Sequence, residues 1–388
     1  MLLQLLLHVN SAWACGGLVP ATVSSGSLTA ASDAQQALFR VGETELSVEY
    51  RVKYQGDADD FAWVIAVPGA VVAVEEGAEE SFVAVMEASA PTVKTVTYDP
   101  DDGDDGGGRF GCGGGLKGDA GGRNLEDSGG LGGGIGVTVE GSGYAGAFEY
   151  TILSASDADG LATWLTDRGY DISLAADAIA AYVADPIGFQ WVAVRLQPDL
   201  AETPEGGVLL SPLRVRYGAA DDGDLHLSFP ARMGASAMVP ETRLELYILG
   251  AGAAEPGNGW TTPENVEEGG DTGWWGTPDI SGGLDDDPAA LYDAKLREVG
   301  GSSRGLWTTY VDAYADPVTG QEGVLTRLDT LIAPATQTAD IQLTVTEDST
   351  PRSTVIQLTG TASASAAPVA LLGLLGMFVA GLRRLMRR

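Results

Sequence analysis

Histidine, cysteine and lysine are nearly missing from this 388-residue chain, which holds two histidines, two cysteines and four lysines. One histidine, His8, lies in an apolar leader, so processing leaves only His226. That count excludes a multi-histidine zinc centre. Two cysteines far apart in sequence exclude a CxxC pair and an iron–sulfur cluster. Positive charge is scarce as well: 22 Lys and Arg face 54 Asp and Glu, for a formal net charge of −32. Such a surface repels nucleic acid and anionic lipid, so no nucleic-acid partner is expected. A Ser-His-Asp triad would have to use His226, which sits in LHLSFP, where strand alternation sets it against Leu225 and Leu227. An ordinary solvent-facing strand histidine fits that position, since a triad is defined by geometry rather than by sequence.

What is present is strand pattern. Over residues 46–54, Leu46, Val48, Tyr50, Val52 and Tyr54 alternate with Ser47, Glu49, Arg51 and Lys53. Period two predicts a half-buried strand with one face in the core and one in water. Gly56, Asp57, Asp59 and Asp60 supply turn chemistry. Residues 61–67 are apolar without alternation, as in a strand covered on both faces, and Pro68 ends the run. The stretch 45–68 therefore reads as two strands joined by a short acidic turn, on which the rest of the domain is built.

That stretch, YQGDADDFAWVIAVP, resembles the signature of an uncharacterised family of exported bacterial proteins, domain of unknown function 2330. Ala66 stands where a proline is usual in the family. CGG at 15–17, LSASDADGLATWLTDRGYDI at 153–172, FPARMGASA at 229–237 and LTRLDTLIAP at 325–334 extend the likeness. The resemblance implies export and an α+β domain. It implies no activity.

Further elements follow in order. Residues 16–44 read as an irregular entry with one short strand. EEGAEESFVAVMEASA at 75–90 reads as a helix with an acidic first turn and an apolar face of Phe82, Val83, Val85 and Met86. Ser156 is expected to cap a helix over 157–168, closed by Gly169. Further helices are expected at 175–184 and 288–298. Strands are expected at 93–98, 136–140, 147–155, 189–197, 207–217, 225–229, 243–249, 306–314, 323–331 and 341–345, with 353–358 as an added edge. Arg195, Arg214, Arg216, Arg232 and Arg243 fall on or beside these strands. They suit either an anion pocket or pairing with surplus carboxylates, and pairing is the expectation.

Two stretches break the pattern. In 103–136, 17 of 34 positions are glycine, so 99–136 reads as a flexible insertion that buries too little surface to offset its ordering entropy. Asp101, Asp102, Asp104 and Asp105 at its start are weak candidates for calcium, but the D-x-D-x-D-G spacing is absent, and no GxxxxGK[ST] loop occurs. A solvated acidic loop is the plainer reading, and no cofactor is expected. Residues 251–287 read as a long loop rich in Gly and Trp, with Trp260, Trp274 and Trp275 either as contact points for a protein or glycan of the envelope or folded back onto the domain.

At the ends, 1–14 read as a signal peptide, with Ala12, Trp13 and Ala14 fitting the small-x-small rule. Cleavage there leaves Cys15 first. A disulfide between Cys15 and Cys112 and a lipid on Cys15 are competing expectations. Residues 359–367 read as a linker and 366–382 as a transmembrane helix, with Arg383, Arg384, Arg387 and Arg388 as a cytoplasmic tail that makes the membrane a partner. The expected fold is α+β: an exported domain over 15–358, mainly antiparallel sheet with two or three helices, plus the C-terminal transmembrane helix. The expected function is a membrane-anchored structural or interaction module outside the cytoplasm. A carboxylate-based hydrolase and a calcium-dependent binding module are the alternatives.

Overall fold

The computed structural model describes residues 17–18, 34–54, 62–98, 136–172, 175–197, 208–234, 241–262, 280–301, 304–333 and 337–361. Strand outweighs helix, 48% against 19%, in twenty strands and five mostly short helices among the described residues. The fold is therefore mostly β, which corrects the α+β expectation. Strands that composition hid, in the entry segment and at both ends of the supposed 251–287 loop, account for the excess. The span expected at 366–382 and Arg383, Arg384, Arg387 and Arg388 lie outside the described residues. Among those described, no helix is long and apolar enough to cross a membrane.

The chain divides into two compact units. The first holds Met1–Ala90, Lys117–Glu264 and Leu296–Arg352; the second holds Pro91–Leu116, Asn265–Lys295 and Ser353–Arg388.

The first unit is built on two large sheets. One has five strands in the order β1 (Gly17–Leu18), β4 (Ala62–Val67), β9 (Gln190–Leu196), β8 (Phe148–Ala155) and β7 (Val137–Ala145). The other has nine. Its main path runs β19 (Arg352–Ser353), β16 (Trp307–Ala315), β17 (Glu322–Ile332), β13 (Thr242–Gly250), β2 (Ala34–Val41), β3 (Leu46–Tyr54), β11 (Leu213–Tyr217) and β5 (Val71–Glu76), with β10 (Val208–Leu209) paired beside β3. Among the described residues, pairing in these two sheets, β19 aside, is antiparallel except at β2, which runs parallel to β13. A small sheet of β12 (Ser228–Phe229), β18 (Ile341–Val345) and β14 (Ala254–Pro256) completes the unit's sheets.

Alternation decides how these sheets stack. On β4, Trp63, Ile65 and Val67 enter one apolar cluster with Phe39, Val48, Tyr50, Val215 and Leu246 of the nine-stranded sheet. Val64 and Ala66, between them, enter a second cluster with α2 (Ala158–Asp167) and α3 (Ala176–Val183). The run without alternation is thus a strand covered on both faces, because the two sheets pack on one side and two helices on the other. Trp63 joins the sheets, with its ring edge-on to Tyr50 at 6.0 Å and to Phe148 at 6.3 Å. Helix α1 (Glu79–Ala88) covers the opposite face of the nine-stranded sheet, where Phe82 and Val85 meet Leu38, Tyr247 and Leu325. The order of layers is helices, five strands, nine strands, helix.

Several expectations are corrected here. β3 and β4 do not form a hairpin: β3 pairs with β2, β10 and β11, and β4 with β1 and β9. The turn between them lies outside the described residues. The polar face of β3 is not in water; Glu49 is 0% and Arg51 4% exposed, because α1 lies over them. Glu75 and Glu76 end strand β5 rather than start a helix. The cap of α2 is Asp157, whose carboxylate accepts the Gly160 N–H at 2.6 Å, not Ser156. Gly169 does close that helix, at φ +77°, a left-handed turn that favours glycine. The entry segment supplies β2, eight residues long and inside the large sheet. In the second unit, β20 (Val355–Thr361) is not an edge but the middle of a parallel sheet, between β15 (Ile280–Gly283) and β6 (Thr92–Tyr98).

Two helices remain. α4 (Ala231–Gly234) is a single turn after β12, and α5 (Pro288–Gly300) begins among residues of the second unit and ends among those of the first.

Candidate functional site

Two groups of polar side chains stand out among the described residues, one buried and one open to solvent. The buried group arises where four neighbouring strands place polar residues on the face under α1: Glu49 with Arg51, Glu245 with Tyr247 and Arg327 with Asp329, each two apart, and Gln36 with Arg40, four apart on β2. Arg40 donates to Glu49 at 2.5 Å, to Asp316 at 2.7 Å and to Ser81 of α1 at 2.8 Å. Glu49 also accepts from Arg214 at 2.7 Å and, through its other oxygen, from the Ala78 N–H at 3.0 Å. Glu49 thereby supplies the acceptor that Ala78, which has no side-chain cap of its own, lacks at the head of α1. Arg327 donates to Asp329 at 3.0 Å and to Glu245 at 3.4 Å, and Gln36 bridges Glu245 and Arg51. Arg51 reaches Glu79 of α1.

The electrostatics separate these pairs. At Glu245, burial pushes the carboxyl up, but Arg327, Arg243 and the Gln36 bond outweigh it and hold it below the ordinary carboxylate range. Asp316 is held low in the same way, with Arg40 overcoming its burial. At Arg51 and Glu79, burial wins at both ends, lowering the guanidinium and raising the carboxyl. That pair costs more desolvation than its attraction returns. Glu245 lies directly across from Asp329 in the β13–β17 ladder, yet Arg327 bonds both. A carboxylate held ionised in this way is a poor general acid near neutral pH.

The open group surrounds a cleft of about 430 Å³. Asp340, just before β18, is its pivot. One carboxylate oxygen accepts from the Tyr182 hydroxyl at 2.6 Å and the Arg232 N–H at 3.0 Å; the other accepts from the Arg232 guanidinium at 3.1 Å. The guanidinium lies over the Tyr182 ring at 4.3 Å. Burial and Asp340 together hold the Tyr182 phenol well above its ordinary value. Asp185, at the end of α3, lies 3.5 Å from the same guanidinium. Asn258, in a left-handed turn at φ +56°, and Trp260 both bond carbonyls of the 339–340 segment, which fixes one wall. Pro68, Pro186, Ile187 and Phe189 form an apolar stretch of lining, and Ser228, Thr338 and Gln342 a polar one.

The sequence candidates fall as follows. His226 lines this cleft, and its Nε2 is 2.8 Å from Asp222 Oδ2. Ser228 lines it too, but no hydrogen bond joins His226 to Ser228 among the described residues, so the three do not make a triad. Arg214 pairs with Glu49 and Glu75, Arg216 with Glu45 and Glu75, Arg232 with Asp340 and Asp185, and Arg243 with Glu245. Arg195 instead donates to the Arg168 carbonyl and lies over Tyr170. Trp260 is 2% exposed, so it is a core anchor and not a contact point. Trp274, Trp275, Cys15, Cys112, Asp101, Asp102, Asp104 and Asp105 lie outside the described residues. Among the described residues no three His, Cys, Asp or Glu side chains gather as metal ligands do.

Sequence reading missed Asp185 and Asp340. Their sole signal is an aspartate ending a helix before Pro186 and another opening a strand. For the network a signal existed: charged residues two apart inside otherwise apolar strands, as in LTRLDTLI, which alternation alone assigns to solvent.

The family described as "Uncharacterized protein conserved in bacteria (DUF2330)" matches residues 9–344. No curated protein matches. Among solved structures, the crystal structure of baculovirus P35 aligns over 84% of this chain and 97% of that one, at 9% identity and a TM-score of 0.32. A likeness at that level identifies neither an activity nor a partner.

Proposed function

The chain belongs to the uncharacterised bacterial family DUF2330, and from that premise we propose that it is an exported interaction module of the cell envelope whose binding face is the cleft around Asp185, Arg232 and Asp340. The observation that carries this reading is a contrast between the two polar groups. Most charges under α1, among them Arg40, Glu49, Glu245 and Asp329, are buried and bonded to one another, with Glu79 and Arg214 at the margin, which suits a rigid scaffold. Two of the cleft charges reach solvent, Asp185 at 23% and Arg232 at 22% exposed, while Asp340 is buried behind them. Its volume of about 430 Å³ lies in the usual range for ligand sites. Export is supported by the leader read at residues 1–14 and by the strongly acidic composition, which suits solubility outside the cell.

The test has two parts. Cell fractionation with mass spectrometry of the mature N-terminus is expected to find the protein outside the cytoplasm, beginning at Cys15. A protein retained in the cytoplasm with residues 1–14 intact defeats the export reading. Immobilised protein is then offered solubilised envelope. Gln342→Trp, which fills the cleft from an exposed position, is expected to lose whatever the parent retains. Equal capture by the parent and Gln342→Trp rules out the cleft as the binding face.

A further inference from the structure

The cleft holds an imbalance that its internal bonds do not cancel. Two carboxylates, Asp185 and Asp340, face one guanidinium, Arg232. Asp340 is saturated by the three bonds from Tyr182 and Arg232. Asp185 is not. Its Oδ1 accepts the Ile187 N–H at 3.2 Å. Its Oδ2 faces the guanidinium at 3.5 Å, beyond normal hydrogen-bond length. A further carboxylate, Asp222, is tied to His226 on the cleft lining, and a further guanidinium, Arg304, to Thr338, which still leaves carboxylates in excess by one. An anion entering here meets surplus negative charge, whereas a cation meets an acceptor with an open lone pair.

The rest of the lining narrows the kind of cation. A hard metal ion wants a shell of oxygen ligands, and among the described residues no three His, Cys, Asp or Glu side chains gather to begin one. Next to Asp185 the wall is instead apolar, made by Pro186, Ile187 and Phe189 of the same short segment, with Pro68 beside them. Carboxylate and apolar wall are adjacent in sequence and line one space. That pairing fits a charged head on a hydrocarbon stem.

We propose that this cleft binds an organic ammonium ion, a primary amine on an apolar stem, with the amine on Asp185 Oδ2 and the stem along Ile187 and Phe189. The assignment rests on the cleft being the binding face. The same chemistry is offered by a free alkylamine and by a lysine side chain on another protein.

Calorimetry on the full chain, with n-butylammonium, n-butanol and butyrate as probes, tests it. Butylammonium is expected to bind at least about tenfold tighter than the uncharged butanol, and butyrate not at all. Asp185→Asn, which keeps an oxygen for the Ile187 N–H, is expected to erase the preference for butylammonium. The preference is also expected to shrink between about 20 and 500 mM salt, because screening weakens a solvent-reachable ion pair. Equal binding of butanol and butylammonium, or a preference that survives Asp185→Asn, overturns the assignment. If Asp185→Asn does not fold, the parent decides alone: a preference unchanged by salt overturns it. A lysine tripeptide blocked at both ends separates the sources. Tighter binding than butylammonium points to a protein lysine, and weaker binding to a free amine. Failure of butylammonium while Gln342→Trp still abolishes envelope capture refutes the ammonium alone; capture indifferent to Gln342→Trp refutes the binding face as well.

Discussion

Replacing Glu49 by alanine tests the buried network at its most connected point. Glu49 is 0% exposed and accepts from Arg40, Arg214 and the Ala78 N–H, so it ties β2, β3 and β11 to the start of α1. Deleting one partner of a buried pair costs about 3–5 kcal/mol, because the other charge is left without compensation. Two features move the expectation to the lower end. Arg40 keeps Asp316 at 2.7 Å, and Arg214, 22% exposed, regains water and contributes little. We expect a loss of about 3 kcal/mol, which at about 2–4 °C per kcal/mol lowers the melting temperature by roughly 6–12 °C. Urea unfolding of the first unit's signal, at about 50 and 500 mM salt, is the assay. The loss is expected to be nearly the same at both, since buried charges are poorly screened. Arg216→Met is the control: its pair with Glu45 is more than one third exposed at both ends and is expected to change stability by under about 1 kcal/mol. A Glu49→Ala protein within about 1 kcal/mol of the parent refutes the reasoning, and so does a loss that matches the control.

Three further outcomes follow from the same architecture. Glu245 and Asp316 are more acidic folded than unfolded. Their contribution is therefore present above the ordinary carboxylate range, near pH 4, and lost as pH falls through it and below; Glu245→Gln and Asp316→Asn should each flatten the acid limb of stability against pH, and an unchanged limb counts against the assigned pairs. Burial raises the phenols of Tyr182, Tyr217 and Tyr247, so stability is full below about pH 10 and lost as pH rises above it; Tyr247→Phe should delay alkaline unfolding, and no delay speaks against a buried phenol. Trp63→Ala, at a ring 0% exposed between the two sheets, should cost about 3–5 kcal/mol in urea unfolding, and a cost under about 1 kcal/mol would mean that the sheets do not pack through it.

Local pattern announced the strands well, and failed wherever a distant segment decided the outcome. The alternation of 46–54 and the unbroken apolar run of 61–67 each correspond to a strand. Their pairing was misread because chain neighbours were assumed to be sheet neighbours, whereas β11 and β9 compete for them from more than a hundred residues away. Glu49 and Arg51 looked solvated because nothing local says that α1 will cover them. Glu75 and Glu76 looked helical because acidic residues favour a helix start, but pairing with β11 holds them in a strand. Of the cleft, Arg232 and His226 were visible as residues without a role. Their partners Asp340 and Asp185 come from other parts of the chain, and only the fold brings them together.

The position of β2 bears on how the chain acquires its shape. In the large sheet, β3, β11 and β5 lie to one side of β2, and β13, β17 and β16 to the other. The ladder that joins the halves sets Ala34 beside Arg243 and Arg40 beside Leu249, across more than two hundred residues. Contacts so distant in sequence are slow to form, because a long loop must close before any of them adds stability. Synthesis runs from the amino end, so the strand at the seam emerges among the first and waits for β13. Until then one of its two edges lacks its partner, and Ala37 and Phe39 lack Leu244, Leu246 and Ile248 of their cluster. A protein built this way cannot mature piecemeal as it emerges; its large sheet closes only after most of the polypeptide is free. That delay is an interval in which an exposed strand edge is open to aggregation or to capture by a holding chaperone.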